Sequence, residues 1–504
     1  MSASAEQPRQ PGADSVRQRA VRTVLLLILA TAVLRAALAA ILGLSVDESY
    51  TVAISRHFAW SYFDHPPLHV WLVGGWARRI GSEQPLLLRL PDIALFGAST
   101  WLMYRLTAAV FGERAGVWAA VMLNLAPLFT LVAAGGIVPD GPLVLCSLLA
   151  VRGFAAAVQL RRGAGFEMAA AGAATGLALL SKYTAVSLPV SFGLFLASSR
   201  ARLLQGAATW LAALVALLLF VPVIAWNHAH EWASFAFQGG RAWPVGLNFS
   251  RALWDALGEL LYLFPWIALG LLGALARAVR RGPDDPATWL FACLALPPLA
   301  GFALISLWAP VLPHWAALGW LLAFPLLGRE LALREGQSGR SPSLHRRTEA
   351  SAVLLIALSA LFATQAATGW IERWAPGFAA QDPTLDFLDW RGLKKTVAIA
   401  ASRDPDLIVA TVSWIDAGKA DYALGGAVPV LCLSTDPRGF AHLRNVRAYA
   451  GRNALVVAPA SRADWLALAA SHFERVTVAE NVVLTRAGRA ALTLHTAYGY
   501  GLRP

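Results

Sequence analysis

Runs of about twenty apolar residues, bounded by arginines or turn residues, recur along most of this chain, and a helix of that length matches the hydrocarbon core of a bilayer, roughly 30 Å thick. Only a helix or a closed barrel satisfies its backbone there. About eleven spans are expected, at 21–44, 86–110, 115–133, 139–159, 168–183, 184–199, 206–226, 253–275, 287–307, 312–328 and 351–369. The first, Val21 to Leu44, has no small-residue cleavage site and reads as a retained anchor.

Lys and Arg number 42 against 30 Asp and Glu, a balance of +12 that could signal nucleic acid or a membrane surface, and the placement of the charges decides. With a cytoplasmic tail at 1–20, every even-numbered connection is basic. These turns carry Arg105 with Arg114, Arg161 with Arg162, Arg200 with Arg202, Arg277 with Arg280 and Arg281, and finally Arg329, Arg334, Arg340, Arg346 and Arg347. That is the positive-inside pattern, and it leaves no reason to invoke nucleic acid. Cys146, Cys293 and Cys432 are too isolated for a disulfide framework. The reading is a mainly α, polytopic membrane protein of the cell inner membrane. Its membrane domain is expected at 21–369, with a first periplasmic loop at 45–85, and a periplasmic α/β domain at 370–504. Short strands are expected there at Val397–Ala400, Leu407–Val412, Val428–Leu433, Ala454–Val457 and Val476–Leu484.

Polar groups at membrane level are costly and therefore informative. The first loop opens with Asp47-Glu48-Ser49-Tyr50 and runs through Arg56, His57 and Trp60 to Tyr62-Phe63-Asp64-His65-Pro66-Pro67. Polar and apolar positions alternate from Thr51 to Trp60, and Trp60, Tyr62, Trp71 and Trp76 suit the headgroup layer, so the loop is expected to lie on the bilayer. Alone, Asp47 and Glu48 also read as a hydrated stop to the span, and Asp64 as turn chemistry. Asp140, after Gly135-Gly136-Ile137-Val138-Pro139, is a third acidic site at that level and equally suits an N-cap. Lys182 is expected at a hairpin tip between two short apolar runs, Arg241 ends Phe235-Ala236-Phe237-Gln238-Gly239-Gly240-Arg241, and His314 lies in Pro313-His314-Trp315, which alone reads as an interfacial histidine. Arg89 and Asp92, three apart in one span, are expected to neutralise one another. Carboxylates facing cations at a lipid surface suit sugar transfer from a lipid phosphate: a carboxylate takes the acceptor's proton while Lys and Arg stabilise the departing phosphate. No Gly-rich phosphate loop or Rossmann fingerprint occurs, which fits a donor that arrives on a lipid.

With these phrases, and with Arg89-Leu90-Pro91, Gly176-Leu177-Ala178-Leu179-Leu180-Ser181-Lys182-Tyr183 and Trp226-Asn227, the chain resembles the GT-C superfamily over roughly residues 22 to 330. The resemblance is to the bacterial branch related to dolichyl-phosphate-mannose protein mannosyltransferases and lipid A aminoarabinose transferases. Trp414-Ile415-Asp416-Ala417-Gly418-Lys419 is similar to a phrase that follows the last span in such proteins. The resemblance implies a GT-C type fold and an inverting transferase with Asp47 as the base, and Glu48, Asp64 and Asp140 beside it in the acidic set. His65 falls where aminoarabinose transferases carry a lysine near the donor phosphate, and Tyr62, Lys182, Arg241 and His314 fall near positions that hold phosphate or polar donor groups. Some members use a divalent cation and others do not; single-phosphate donors imply no obligatory metal. The implied partners are a sugar on polyprenyl (undecaprenyl) phosphate and a lipid or glycan acceptor, with lipid A, lipopolysaccharide or another envelope glycolipid favoured. A protein O-mannosyltransferase-like enzyme and a transporter or flippase are the alternatives.

Overall fold

The computed structural model describes residues 11–133, 135–160, 165–199, 206–243, 246–338 and 341–503. Residues 1–10 of the expected tail, and Arg161, Arg162, Arg200, Arg202 and Arg340 of the basic turns, lie outside them. Helix α1 (Pro11–Ile41) leads into two first-loop helices, α2 (Val46–Ser55) and α3 (Leu68–Ile80). The bundle continues with α4 (Pro85–Phe111), α5 (Glu113–Leu125), α6 (Asp140–Leu160), α7 (Gly165–Ser181), α8 (Ser187–Ser198) and α9 (Ala207–Ala229). Then come α10 (Ala233–Arg241), α11 (Phe249–Tyr262), α12 (Pro265–Arg281), α13 (Pro286–Ser306), α14 (Ala317–Ser338) and α15 (Pro342–Thr368).

Every run expected to span falls on helix, but length separates them. Among the described residues six helices are long and apolar enough to cross a membrane, or seven if one bent pair counts as a span. That pair is α11 and α12, which meet at 104° where a single span at 253–275 was expected. Pro265 disfavours helical backbone at Phe264, whose φ is +61°, and the chain turns there. Most of the apolar window of α1 and of α9 is uncovered by protein, as lipid-facing helices require. Elsewhere small residues let backbones touch: a Cβ on Gly172 of α7 would stand 2.3 Å from the Ala212 carbonyl oxygen of α9.

The chain after α15 forms the α/β domain. Its elements are α16 (Ile371–Trp374), α17 (Leu393–Arg403), β1 (Ile408–Thr411), α18 (Trp414–Leu424), β2 (Val430–Cys432), α19 (Phe440–Leu443), β3 (Ala454–Pro459), α20 (Trp465–His472), β4 (Phe473–Val478), β5 (Val482–Arg486) and β6 (Arg489–Leu502). Strand order is β2-β1-β3-β6-β4, with β5 also paired to β6; the β1 pairings are parallel and those of β6 antiparallel. Two expectations change. Val397–Ala400 is helical, within α17, because Val397 and Ala400 are the buried positions of an amphipathic turn. The segment 476–484 divides between β4 and β5, and the long β6 that holds both was not anticipated.

Helix α2 of the first loop is covered by protein and offers no free face to a membrane surface. Every residue from Glu48 to Ser55 in α2 is buried, and Tyr50, Ala53 and Ile54 share one hydrophobic core with Leu393, Val409, Ala420 and Leu455 of the C-terminal domain. Polar contacts tie the same seam. Arg56 pairs with Glu83 at 2.5 Å and with Asp421, and Lys419 donates to the carbonyls of Leu44 at 2.7 Å and Leu388 at 3.0 Å. Phe58 and Trp60, just beyond α2, stay exposed.

Candidate active site

Ser45 starts α2 with a reciprocal cap: its hydroxyl accepts from the Glu48 N–H at 3.3 Å, and the Glu48 carboxylate accepts from the Ser45 N–H at 2.8 Å. This fixes where the next side chains point. Glu48 turns inward, where Arg89 of α4 meets both its oxygens at 2.7 and 2.6 Å. Arg89 also donates to the carbonyls of Leu42 at 2.9 Å and Gly43 at 2.7 Å, closing the end of α1, and Glu48 accepts from the Ile137 N–H at 3.0 Å. Burial alone would push the Glu48 carboxyl up, but the guanidinium and its hydrogen bonds hold it below its ordinary value. Glu48, expected in the catalytic set, is thus a strut between α1, α2, α4 and the loop before Asp140. The Arg89–Asp92 pair expected from spacing is replaced, since the three-residue offset cannot compete with a carboxylate that matches both guanidinium edges.

Asp47, one position earlier on α2, faces a cavity of about 620 Å³ between the membrane helices and the C-terminal domain. Asp47, Tyr62, Asp64, His65, Asp140, Lys182, Arg241 and His314 all line it, and Glu48 does not. Asp47 stays accessible from the cavity yet is ringed by protein, which raises its carboxyl above the ordinary value against the pull of Arg438. Asp64 is buried, accepts from the Tyr50 hydroxyl, and has its other oxygen 3.5 Å from Arg438. Burial pushes it up to about 6, with Tyr50 and Arg438 opposing.

The cationic side divides. Asp140 begins α6 and Lys182 directly follows α7; the ammonium donates to both Asp140 oxygens at 2.9 and 2.8 Å, with both residues buried. Lys182 lies between α7 and the run leading into α8, the junction expected for it, and is there a buried, paired group inside the site. Arg241 is delivered by a turn that Asn227 orders: its backbone oxygen accepts from the Trp232 N–H at 2.7 Å and its side chain from the Phe235 N–H at 3.2 Å. The Arg241 guanidinium lies 4.5 Å from the Trp315 ring centre and 5.7 Å from that of Phe237. Burial takes His65 well below its ordinary value and His314 to about 4, so neither brings a standing charge. Tyr62 lines the cavity with its ring, while its hydroxyl donates to the His57 carbonyl at 3.1 Å. Among the described residues no group of three or more His, Cys, Asp or Glu is placed to hold a metal ion.

Sequence reasoning missed the groups the C-terminal domain supplies. Trp414, at the start of α18, and Arg438, in the loop after β2, both line the cavity, as do His69 and Gln238. Trp414 had a local signal in its phrase; nothing around Arg438 marks it before folding.

The family model for dolichyl-phosphate-mannose-protein mannosyltransferase matches residues 64–226. The structure of ArnT from Cupriavidus metallidurans in the apo state superposes with a TM-score of 0.63 at 15% identity, covering 94% of this chain and 97% of that one. The GT-C fold is therefore the fold of this chain. The same ArnT bound to undecaprenyl phosphate gives a TM-score of 0.62 at 16% identity, again over 94% and 97%. An Archaeoglobus fulgidus oligosaccharyltransferase tethered with an acceptor peptide gives 0.53 at 13% identity, over 95% of this chain and 74% of that one. No curated protein matches by sequence. Within the GT-C fold, the family match includes Asp64, Asp140 and Lys182, and leaves Asp47, Arg241, His314 and Arg438 outside it.

Proposed function

We propose that this chain is an integral inner-membrane glycosyltransferase that moves a sugar from polyprenyl phosphate to a periplasm-facing acceptor with inversion. The observation that carries the reading is the single cavity in which Asp47 and Asp64 face Arg241 beside the membrane helices. Its volume falls within the range of small-molecule sites, roughly 300–1,000 Å³. Val186, Phe302, Ile305 and Leu312 give it an apolar edge against which a polyprenyl chain can lie.

In this reaction Asp47 takes the proton from an acceptor hydroxyl. The acceptor oxygen bonds to the anomeric carbon from the face opposite the phosphate, and the carbon–oxygen bond to phosphate breaks with its electron pair on the leaving oxygen. Arg241 stabilises the charge that develops there. Among the described residues it makes ring contacts and no ion pair, so its N–H groups remain available. The Asp140–Lys182 pair forms the cavity wall and adds little net charge. A lipid or lipopolysaccharide acceptor is favoured over protein, because Val186, Phe302, Ile305 and Leu312 give the cavity an apolar side.

The test is mass spectrometry of envelope lipids and glycans from cells with and without the chain, and with Asp47→Asn. The expected result is one sugar modification lost in both deficient strains. A modification retained with Asp47→Asn would remove the base.

A further inference from the structure

We infer that Arg438, delivered by the C-terminal domain, is a substrate-binding residue that holds the donor's lipid-linked phosphate together with Arg241. The inference rests on the reading of the site given above and adds to it a ligand group from outside the membrane helices.

An anionic group entering this cavity needs cations with free donors. Lys182 spends itself on both Asp140 oxygens, and burial disfavours a charge on His65 and His314. Arg241 and Arg438 remain. They flank one ring: Arg438 lies 5.5 Å from the centre of Phe237 and Arg241 5.7 Å from the same centre. Each has a second aromatic support, Trp414 at 3.9 Å for Arg438 and Trp315 at 4.5 Å for Arg241. Stacking holds a guanidinium by its face and leaves its edge to a ligand, the arrangement that suits a phosphate.

The carboxylates near Arg438 do not satisfy it. Asp64 and Asp436 are each 3.5 Å away, long against about 2.7–2.9 Å for a charge-assisted hydrogen bond, and among the described residues its buried Nε has no hydrogen-bond partner. The backbone is also held in an unfavourable state: φ at Arg438 is +47°, and the next N–H, that of Gly439, donates to the Tyr50 hydroxyl at 3.0 Å. A non-glycine residue kept there by a contact to the first loop places its side chain at a cost in stability, as binding groups often do. Two guanidinium groups beside one ring repel, and a phosphate oxygen reaching both relieves that repulsion.

Binding of undecaprenyl phosphate to the purified full chain tests this, with the wild type, Arg438→Gly and Asp64→Asn compared. Glycine suits φ +47° and removes only the side chain, so Arg438→Gly is expected to keep the wild-type unfolding temperature and bind roughly tenfold or more weakly. Asp64→Asn removes a nearby negative charge and is expected to bind as well as the wild type or better. Equal binding by Arg438→Gly overturns the inference, and so does an equal loss in Asp64→Asn, which would mean that Arg438 acts through Asp64. A wild-type chain that does not bind undecaprenyl phosphate overturns the reading of the whole site, an outcome distinct from either.

Discussion

Asp47 and Glu48 are neighbours on one helix and have opposite fates. Glu48 turns into a dry seam where Arg89 meets it edge to edge and backbone groups take the remaining valences. Asp47 turns into a cavity where its nearest cations stack on rings instead of gripping it. About 100° of rotation along α2 separates a structural charge from one that is free to react. Proximity of acid and base is therefore a poor marker of chemistry; the unsatisfied group is the better one.

Glu48→Ala presses hardest on this contrast. It strands a buried guanidinium and unpins the end of α1, and should destabilise the fold by about 3–5 kcal/mol, read as a fall in unfolding temperature; unchanged stability would erase the distinction. Asp47→Asn should do the reverse, leaving stability within about 0.5 kcal/mol while transfer falls by about 10²–10⁴ in a reconstituted assay with undecaprenyl phosphate binding intact.

Asp64 lies between these extremes, and pH separates its contribution. Its carboxyl titrates at about 6 instead of 3.8, so between those values the folded chain binds more protons than the unfolded one and stability falls as pH rises. Below 3.8 the penalty is absent, and above about 6 it is complete. Asp64→Asn removes it, so the unfolding temperature of the variant relative to wild type should climb across that window and then level off; a flat difference would mean that the carboxylate is better solvated than its burial indicates. The smallest effect is expected from Gly418→Ala. A Cβ there would stand 3.0 Å from the Tyr50 backbone, and parting α18 from α2 should cost about 1–3 kcal/mol. Since α18 also carries Trp414, a parallel loss of undecaprenyl phosphate affinity would show that the seam sets the cavity's shape.

Much of the architecture was legible because hydropathy is a local property. The apolar runs of α4, α6, α9 and α13 declare helices whatever they pack against, and β1, β2 and β3 fall where short β-branched runs predict them. The misreadings share a cause. Val397–Ala400 has strand composition and helical burial, and Thr51–Ser55 reads as interfacial only until a second domain covers α2, while Phe58 and Trp60 stay exposed. Asp47, Asp64, Asp140, Lys182, Arg241 and His314 were all visible as polar residues at membrane level, because such residues are rare there.

Pairing was not visible, because a side chain's partner is set by packing between segments far apart in the chain. Arg89 chose Glu48, 41 residues away, over Asp92. Lys182 chose Asp140 across 42 residues, and Arg438 reached Asp64 only because the C-terminal domain folds onto the first loop. Solvent preference, carried by each segment alone, made this chain a helical membrane protein with an α/β domain. Which charges cancel and which stay open depended on helices and domain coming together, since Coulomb and hydrogen-bond energies are decided within a few ångströms that no local stretch of sequence specifies.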